Sequence, residues 1–110
     1  MWLFTNFGFF SVVQKRDTDF LTVRARVRED LEALRSRYLP SLSATLAKGG
    51  TDYPWRATVP HADFAAALGR IALDLHYDNF KNEVALWQGK TRANRYGKVW
   101  SVLYDMEPEL

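Results

Sequence analysis

The sequence predicts an α+β fold, in which an antiparallel sheet of three strands packs against amphipathic helices. Two patterns support this prediction. Early segments alternate apolar and polar residues or are rich in aromatic and β-branched residues, whereas the second half of the chain repeats apolar residues at helical spacing. The 110 residues, 47% hydrophobic and 25% charged, fit one domain spanning residues 1–110.

Three segments have the composition of strands. Residues 2–15 are rich in aromatic and β-branched residues, which predicts one long strand or a strand with a kink at Gly8. Residues 20–27 alternate between an apolar face and an arginine-bearing face, and the polar residues 16–19 before them predict a hairpin turn. Residues 53–59 predict a third strand near a sheet edge, because the proline at its start cannot donate to a ladder.

Two helices are predicted between the second and third strands. Residues 29–39 place Leu31, Leu34 and Tyr38 on one apolar face, and a proline ends the segment. Residues 41–48 predict a further short helix that stops at a pair of glycines.

The second half of the chain predicts three helices. They cover residues 61–73, 78–88 and 91–104, and the last is expected to bury a stripe made of Tyr96, Val99, Trp100 and Leu103. Residues 73–77 also alternate, which leaves two alternatives open. They form a fourth strand, giving a ferredoxin-like arrangement, or they end one helix while Asp78 caps the next.

Composition excludes several classes of site. The chain contains no cysteine, which rules out disulfides, thiolate metal sites and a cysteine nucleophile. It also lacks the glycine-rich and serine-containing motifs of nucleotide-binding proteins and hydrolases, and neither a cofactor nor a metal is predicted. The uncharged residues 2–14 are too short to span a bilayer and have no preceding basic region, so a cytoplasmic protein without a membrane partner is expected.

Three phrases of the sequence, FGFFSVVQK, LTVRAR and YDNFKN, resemble a group of small bacterial proteins of unknown function. The resemblance covers nearly the whole chain and implies a bacterial, cytosolic origin. It implies no activity and no site residue, so the candidate sites come from the residues of this chain alone.

The first candidate site is the face of the sheet opposite the apolar one. Arg24 and Arg26 lie on it in the second predicted strand and Arg56 in the third, with either Phe9 or Phe10 beside them from the first. Arginines next to aromatic rings can bind phosphates and stack on bases. The alternatives are that helices cover this face, or that the arginines pair with carboxylates of Asp17, Asp19 or Glu32.

The second candidate is a basic stripe on the last predicted helix. Arg92, Arg95 and Lys98 are three positions apart and lie next to Tyr96. Such a stripe can approach a phosphate backbone, and its alternative is a solvated helix face.

The third candidate is a polar cluster around His76 and Asp78. If this segment is extended, the two side chains point the same way, and His76 could act as a base near neutral pH or bind a metal. The alternative assigns Asp78 to a helix cap, and no recognised metal-binding spacing is present.

Three functions therefore stay open. The first is a non-enzymatic domain that binds nucleic acid or another polyanion through a basic, aromatic surface. The second is a protein-binding or self-associating module, including a homodimer, for which exposed residues such as Trp2, Phe4 or Phe10 would supply an apolar patch. The third is a small enzyme centred on His76 and Asp78.

Overall fold

A computed structural model describes residues 1–108 and confirms the α+β class. Its elements, in chain order, are β1 Trp2–Thr5, β2 Gly8–Val13, β3 Phe20–Ala25, α1 Arg28–Arg37, β4 Leu46–Ala47, β5 Trp55–Pro60, α2 His61–Leu73, α3 Phe80–Gln88 and α4 Lys90–Tyr104. This part of the chain divides into two compact units, Met1–His76 and the residues from Tyr77 onward. The single domain over residues 1–110 stays a prediction.

The first unit is built on an antiparallel sheet with the strand order β1-β2-β3-β5-β4. The strand count over residues 1–108 is five rather than the predicted three or four. One extra strand arises because residues 2–15 form a hairpin, and the other because residues 46–47 pair with β5. β5 has only this two-residue strand outside it, which confirms its predicted place near an edge.

The turn between β1 and β2 corrects the prediction of one long strand. The Thr5 hydroxyl oxygen accepts hydrogen bonds from the backbone N–H of Phe7 at 3.3 Å and of Gly8 at 3.0 Å, and it donates to the Gly8 carbonyl at 2.8 Å. A threonine side chain that bonds the backbone two and three residues on replaces the ladder bonds that a continuous strand would need. The chain therefore reverses within two residues.

One face of the sheet forms the hydrophobic core with α1 and α2. The predicted apolar parity is confirmed in β3 and β5, where Val23 and Val59 are fully buried. Helix α1 contributes Leu31 and Leu34, and α2 contributes Phe64. Because both helices pack on this face, the arginine-bearing side of the strands is the opposite face of the sheet.

Gly8 lies where the β1–β2 hairpin meets the first turn of α1. The Asp30 carboxylate is buried and accepts a hydrogen bond from the Phe9 N–H at 3.0 Å. A Cβ on Gly8 would stand 2.8 Å from the Asp30 Cβ and 2.9 Å from the terminal ring carbon of Phe10. Only glycine permits this close approach between hairpin and helix.

Residues 41–48 form no helix, which corrects the second helix predicted between the strands. The Arg35 guanidinium donates to the carbonyl oxygens of Leu42 and Ser43 and, at 3.0 Å, to the Thr45 hydroxyl. The Leu42 and Ser43 carbonyls are therefore satisfied by a side chain of α1 and do not need a helix of their own. The segment is held open instead and leads into β4.

Helix α2 covers the predicted residues 61–73, and residues 73–77 form no fourth strand. The ferredoxin-like alternative required this fourth strand, so its condition is not met. Asp74 follows the helix and accepts a hydrogen bond from the Tyr38 hydroxyl at 2.7 Å. This bond and burial both raise the pKa of Tyr38, with burial the larger cause.

The second unit is an antiparallel pair of helices joined at Gly89, whose φ of 91° favours glycine. Asn79, not the predicted Asp78, caps α3, because its side chain accepts the Asn82 N–H at 2.9 Å. Phe80 of α3 stacks on Tyr96 of α4 with the ring centroids 6.0 Å apart.

The predicted buried stripe of α4 is wrong in part. Trp100 and Leu103 are 64% and 55% exposed, while Ala93 is buried. Thr91 lies inside α4 and does not cap it, since the helix begins at Lys90. None of the helices in residues 1–108 has the length and apolar character needed to cross a bilayer.

Candidate functional site

A cross-strand row of residues marks the face of the sheet opposite to α1 and α2. Ser11 of β2 pairs with Arg24 of β3, and Arg24 pairs with Arg56 of β5. Trp2 of β1 and Leu46 of β4 complete the row at its two ends. We call this surface the arginine face. Its register confirms the predicted placement of Arg24 and Arg56 on one side of the sheet.

All three predicted arginines of this face contact the loop that precedes β5. The Arg24 guanidinium carbon lies 4.6 Å from the centre of the Tyr53 ring, and Arg26 donates to the Asp52 carbonyl. Arg56 donates from Nε to the Tyr53 carbonyl at 3.1 Å, and its Nη2 lies 3.9 Å from Asp52 Oδ1. The carboxylate beside the arginines is therefore that of Asp52, and the alternative ion pairs with Asp17, Asp19 or Glu32 are not formed within residues 1–108.

Arg24 is the most constrained of the three. Its Nη2 donates to the Ser11 hydroxyl at 2.6 Å, and its guanidinium lies over Tyr53. Its Nε is buried and has no hydrogen-bond partner within the described structure. A guanidinium that is partly removed from water without a paired carboxylate leaves positive potential at the surface above it.

Lys15 adds a further positive charge to the arginine face. The Arg56 guanidinium is the main cause that holds the pKa of the Lys15 ammonium below its usual range, and desolvation and the charges of Arg24 and Lys48 act in the same direction. Asp52 opposes them. The charges of Arg56, Arg24 and Lys48 thus act on the Lys15 ammonium against that of Asp52, which makes this region electropositive.

Aromatic rings continue the arginine face toward β1. Phe9 stacks on Phe4 with centroids 4.5 Å apart and meets Trp2 edge to face at 5.8 Å. On its other side its ring lies 6.4 Å from Tyr53. Trp2 is 64% exposed, whereas Phe10 is fully buried in the core. The sequence left open whether Phe9 or Phe10 lies on this face, and the structure places Phe9 there.

The second candidate lies in the second unit. Arg95 and Lys98 are exposed on α4. Arg92 is partly buried, donates to the Tyr96 hydroxyl at 3.1 Å and lies over its ring. The three side chains are on one helix as predicted, and Arg92 has a structural contact of its own.

The third candidate spans the boundary between the two units. His76 Nδ1 lies 2.9 Å from the backbone carbonyl of Asp74, and the Asp74 carboxylate is bonded to Tyr38. His76 ends the first unit and Asp78 belongs to the second. Within residues 1–108, no three histidine, aspartate or glutamate side chains lie close enough together to hold a metal ion.

Sequence reasoning missed several members of the arginine face, which are Lys15, Lys48, Asp52 and Tyr53. The signal for Lys15 was available, because it continues the alternation of Phe9, Ser11 and Val13 beyond the end of β2. The other three lie in an irregular loop, where no periodicity shows which side chain turns toward the sheet.

Comparison of the chain with protein-family models, curated proteins and solved structures gives no match in any of the three. The resemblance to small bacterial proteins and the cytoplasmic location therefore stay predictions.

Proposed function

We propose that this protein is a non-enzymatic binding domain that takes single-stranded nucleic acid on its arginine face. The observation that carries the proposal is the cross-strand pair of Arg24 and Arg56 on the same face of the sheet as a row of aromatic rings. Proteins that bind single strands combine a positive surface for the backbone with rings on which bases stack.

Each part of the surface has a distinct task in this proposal. Lys15 is exposed and contacts a phosphate oxygen, while Arg56, whose side chain is only 13% exposed, adds positive charge beside it. Arg24 is held between Ser11 and Tyr53 and strengthens the potential without needing direct contact. Trp2 has the most exposed ring in the row, and it stacks on a base.

The test measures fluorescence anisotropy of a labelled single-stranded RNA with the full chain, at low and at physiological salt. Binding should weaken steeply with salt, and Lys15→Gln should reduce the slope of log K against log salt by about 0.7 if one phosphate contact is lost. Arg28→Gln is the matched control, because it removes an equal charge from α1, which packs on the other face. No binding at low salt, or equal losses in both variants, would refute the proposal.

A second arm separates nucleic acid from other polyanions. Trp2→Leu should weaken RNA binding by about 5- to 150-fold, the range of one lost base stack, but it should leave binding of heparin, which has no bases, almost unchanged. An unchanged RNA affinity, or equal losses for the two ligands, would show that Trp2 does not stack on a base. Melting temperatures of all variants exclude loss of folding as the cause.

A further inference from the structure

A further aromatic ring lies on the arginine face, at the end of β3 away from Arg24. Phe20 shares the strand parity of Thr22 and Arg24, whereas Leu21 between them is buried in the core. Phe20 is 50% exposed, and no other ring packs against it within residues 1–108. From Phe20 to Arg24 the strand rises by about 13 Å, at about 3.4 Å per residue. Phe20 is therefore separate from the row that contains Trp2.

Lys15 places a positive charge beside this ring. The last pair of β2 and β3 is Val13 with Thr22. Lys15 follows Val13 by two residues and Phe20 precedes Thr22 by two, so the same register brings Lys15 opposite Phe20. The Arg56 charge acts on the Lys15 ammonium, which agrees with a position on the arginine face. Lys15 is exposed and forms no ion pair within residues 1–108, so its charge is open to a ligand.

Two hydroxyl groups lie between Phe20 and the arginine row. Thr22 of β3 pairs with Thr58 of β5, and both have the parity of the arginine face. Residues that are directly opposite on one face have Cβ atoms about 4.5–5.5 Å apart. Thr58 is exposed and Thr22 is half-buried. Within residues 1–108, neither hydroxyl takes part in a hydrogen bond, so both can bond a ligand.

The ring, the ammonium and the hydroxyl pair correspond to the three parts of one ribonucleotide. Aromatic side chains stack on unpaired bases, and a lysine ammonium binds a phosphate as a point charge. A threonine hydroxyl both donates and accepts, and so does the ribose 2′-hydroxyl, which is the group that distinguishes RNA from DNA. Deoxyribose would leave the two threonine hydroxyls without this partner.

We infer that the arginine face contains a second nucleotide subsite, in which Phe20 stacks on a base, Lys15 binds the phosphate and the Thr22–Thr58 pair bonds a ribose 2′-hydroxyl. This subsite rests on the proposed function, the binding of a single strand, and it narrows the ligand to RNA. Trp2 and Phe20 then hold two different bases of one strand, because at least about 13 Å separates their rows along the sheet.

The sugar contact is tested by fluorescence anisotropy of the full chain with a labelled single-stranded RNA and with DNA of the same base sequence, both without uracil or thymine. The wild type should bind the RNA more tightly. Replacing both threonines, Thr22→Val with Thr58→Val, should weaken RNA binding by about 2- to 10-fold, the range of one lost hydrogen bond, and leave DNA binding unchanged. Thr91→Val is the matched control, because it makes the same change at an exposed threonine of α4.

Equal affinities of the wild type for RNA and DNA would overturn the sugar contact. A ratio of the two affinities that stays the same in the valine variant would overturn it as well.

The base contact is tested with Phe20→Leu, which should weaken the binding of RNA and DNA alike by about 5- to 150-fold, the range of one lost base stack. Tyr104→Leu is the matched control, because it removes a 72% exposed ring from α4 and should leave both affinities unchanged. The losses of Phe20→Leu and Trp2→Leu should multiply in the double variant, since separated sites act independently.

The outcomes separate the second subsite from the proposed function. If Trp2→Leu and Lys15→Gln weaken RNA binding while Phe20→Leu does not, the single-strand surface stands and the second subsite is wrong. If the wild type binds neither RNA nor DNA at low salt, both are wrong. Melting temperatures of the variants check that each of them is folded.

Discussion

Gly8→Ala tests how tightly the β1–β2 hairpin is fitted against α1. The new methyl group would stand 2.8 Å from the Asp30 Cβ and 2.9 Å from both the Asp30 Cγ and the Phe10 Cζ. These atoms belong to a buried side chain and a core ring, neither of which can swing into solvent. The hairpin must therefore move away from the helix.

Two losses combine in this variant. Overpacking a core by one methyl group costs about 1–3 kcal/mol. Movement of Asp30 also weakens its charge-assisted bond to the Phe9 N–H, worth about 1.5–3 kcal/mol when lost entirely. Alanine also lowers the conformational entropy of the unfolded chain, which stabilises the folded protein by about 0.4–1 kcal/mol. We expect a net destabilisation of about 3 kcal/mol. This is a large part of the free energy of unfolding of a typical domain, which is about 5–15 kcal/mol.

The assay is urea unfolding of the full chain, monitored by far-ultraviolet circular dichroism. Gly69→Ala is the matched control, because no atom lies within 4 Å of its added Cβ and the residue is exposed within α2. It should stabilise the protein by about 0.5–1 kcal/mol through helix propensity. A Gly8→Ala variant as stable as the wild type would show that the hairpin is not held against Asp30.

Three further predictions follow from single contacts. Arg35→Ala should destabilise the first unit by about 2 kcal/mol, since several charge-assisted bonds to residues 42–45 are lost, and hydrogen exchange of residues 42–47 should rise with it. Asn79→Ala should cost about 1 kcal/mol of α3 stability in urea unfolding, whereas Asp78→Ala should change it by less than half as much. The pKa of Lys15, followed by NMR titration, should rise in Arg56→Gln because the main charge that lowers it is removed; an unchanged pKa would contradict the described electrostatics.

Alternation along the strands predicted most of the first unit. The period of two placed Leu21 and Val23 in the core and Arg24 on the other face, and the observed register confirms this. The same reasoning placed Arg56 beside Arg24, because strands in register present matching parities on each face. Helix α2 also matched its predicted bounds.

The errors fall where a side chain forms hydrogen bonds that control the backbone. Thr5 closes a turn without the glycine-containing pair that usually marks a hairpin, so the sequence suggested a continuous strand. Arg35 binds the carbonyls of residues 42–43 from a neighbouring helix and prevents the helix that local composition favours. The Arg35 contact depends on the tertiary fold, which local propensity does not encode.

The exposed stripe of α4 shows a different limit. Helical spacing correctly indicated that Val99, Trp100 and Leu103 share an apolar side, but spacing does not identify what covers that side. The loop at Asp52 and Tyr53 shows the same limit. Strand alternation predicted the face on which the arginines lie, but it did not predict the loop residues that hold them there.

The sheet of the first unit also limits how this protein can associate through its backbone. Its two outer strands have four residues in β1 and only two in β4, so each presents few unpaired N–H and C=O groups. Strand addition and edge-to-edge aggregation need a long, regular edge on which a second chain can form a ladder. The molecule is therefore protected against sheet growth, and its encounters with other molecules are directed to side chains, which can be selective, rather than to bare backbone.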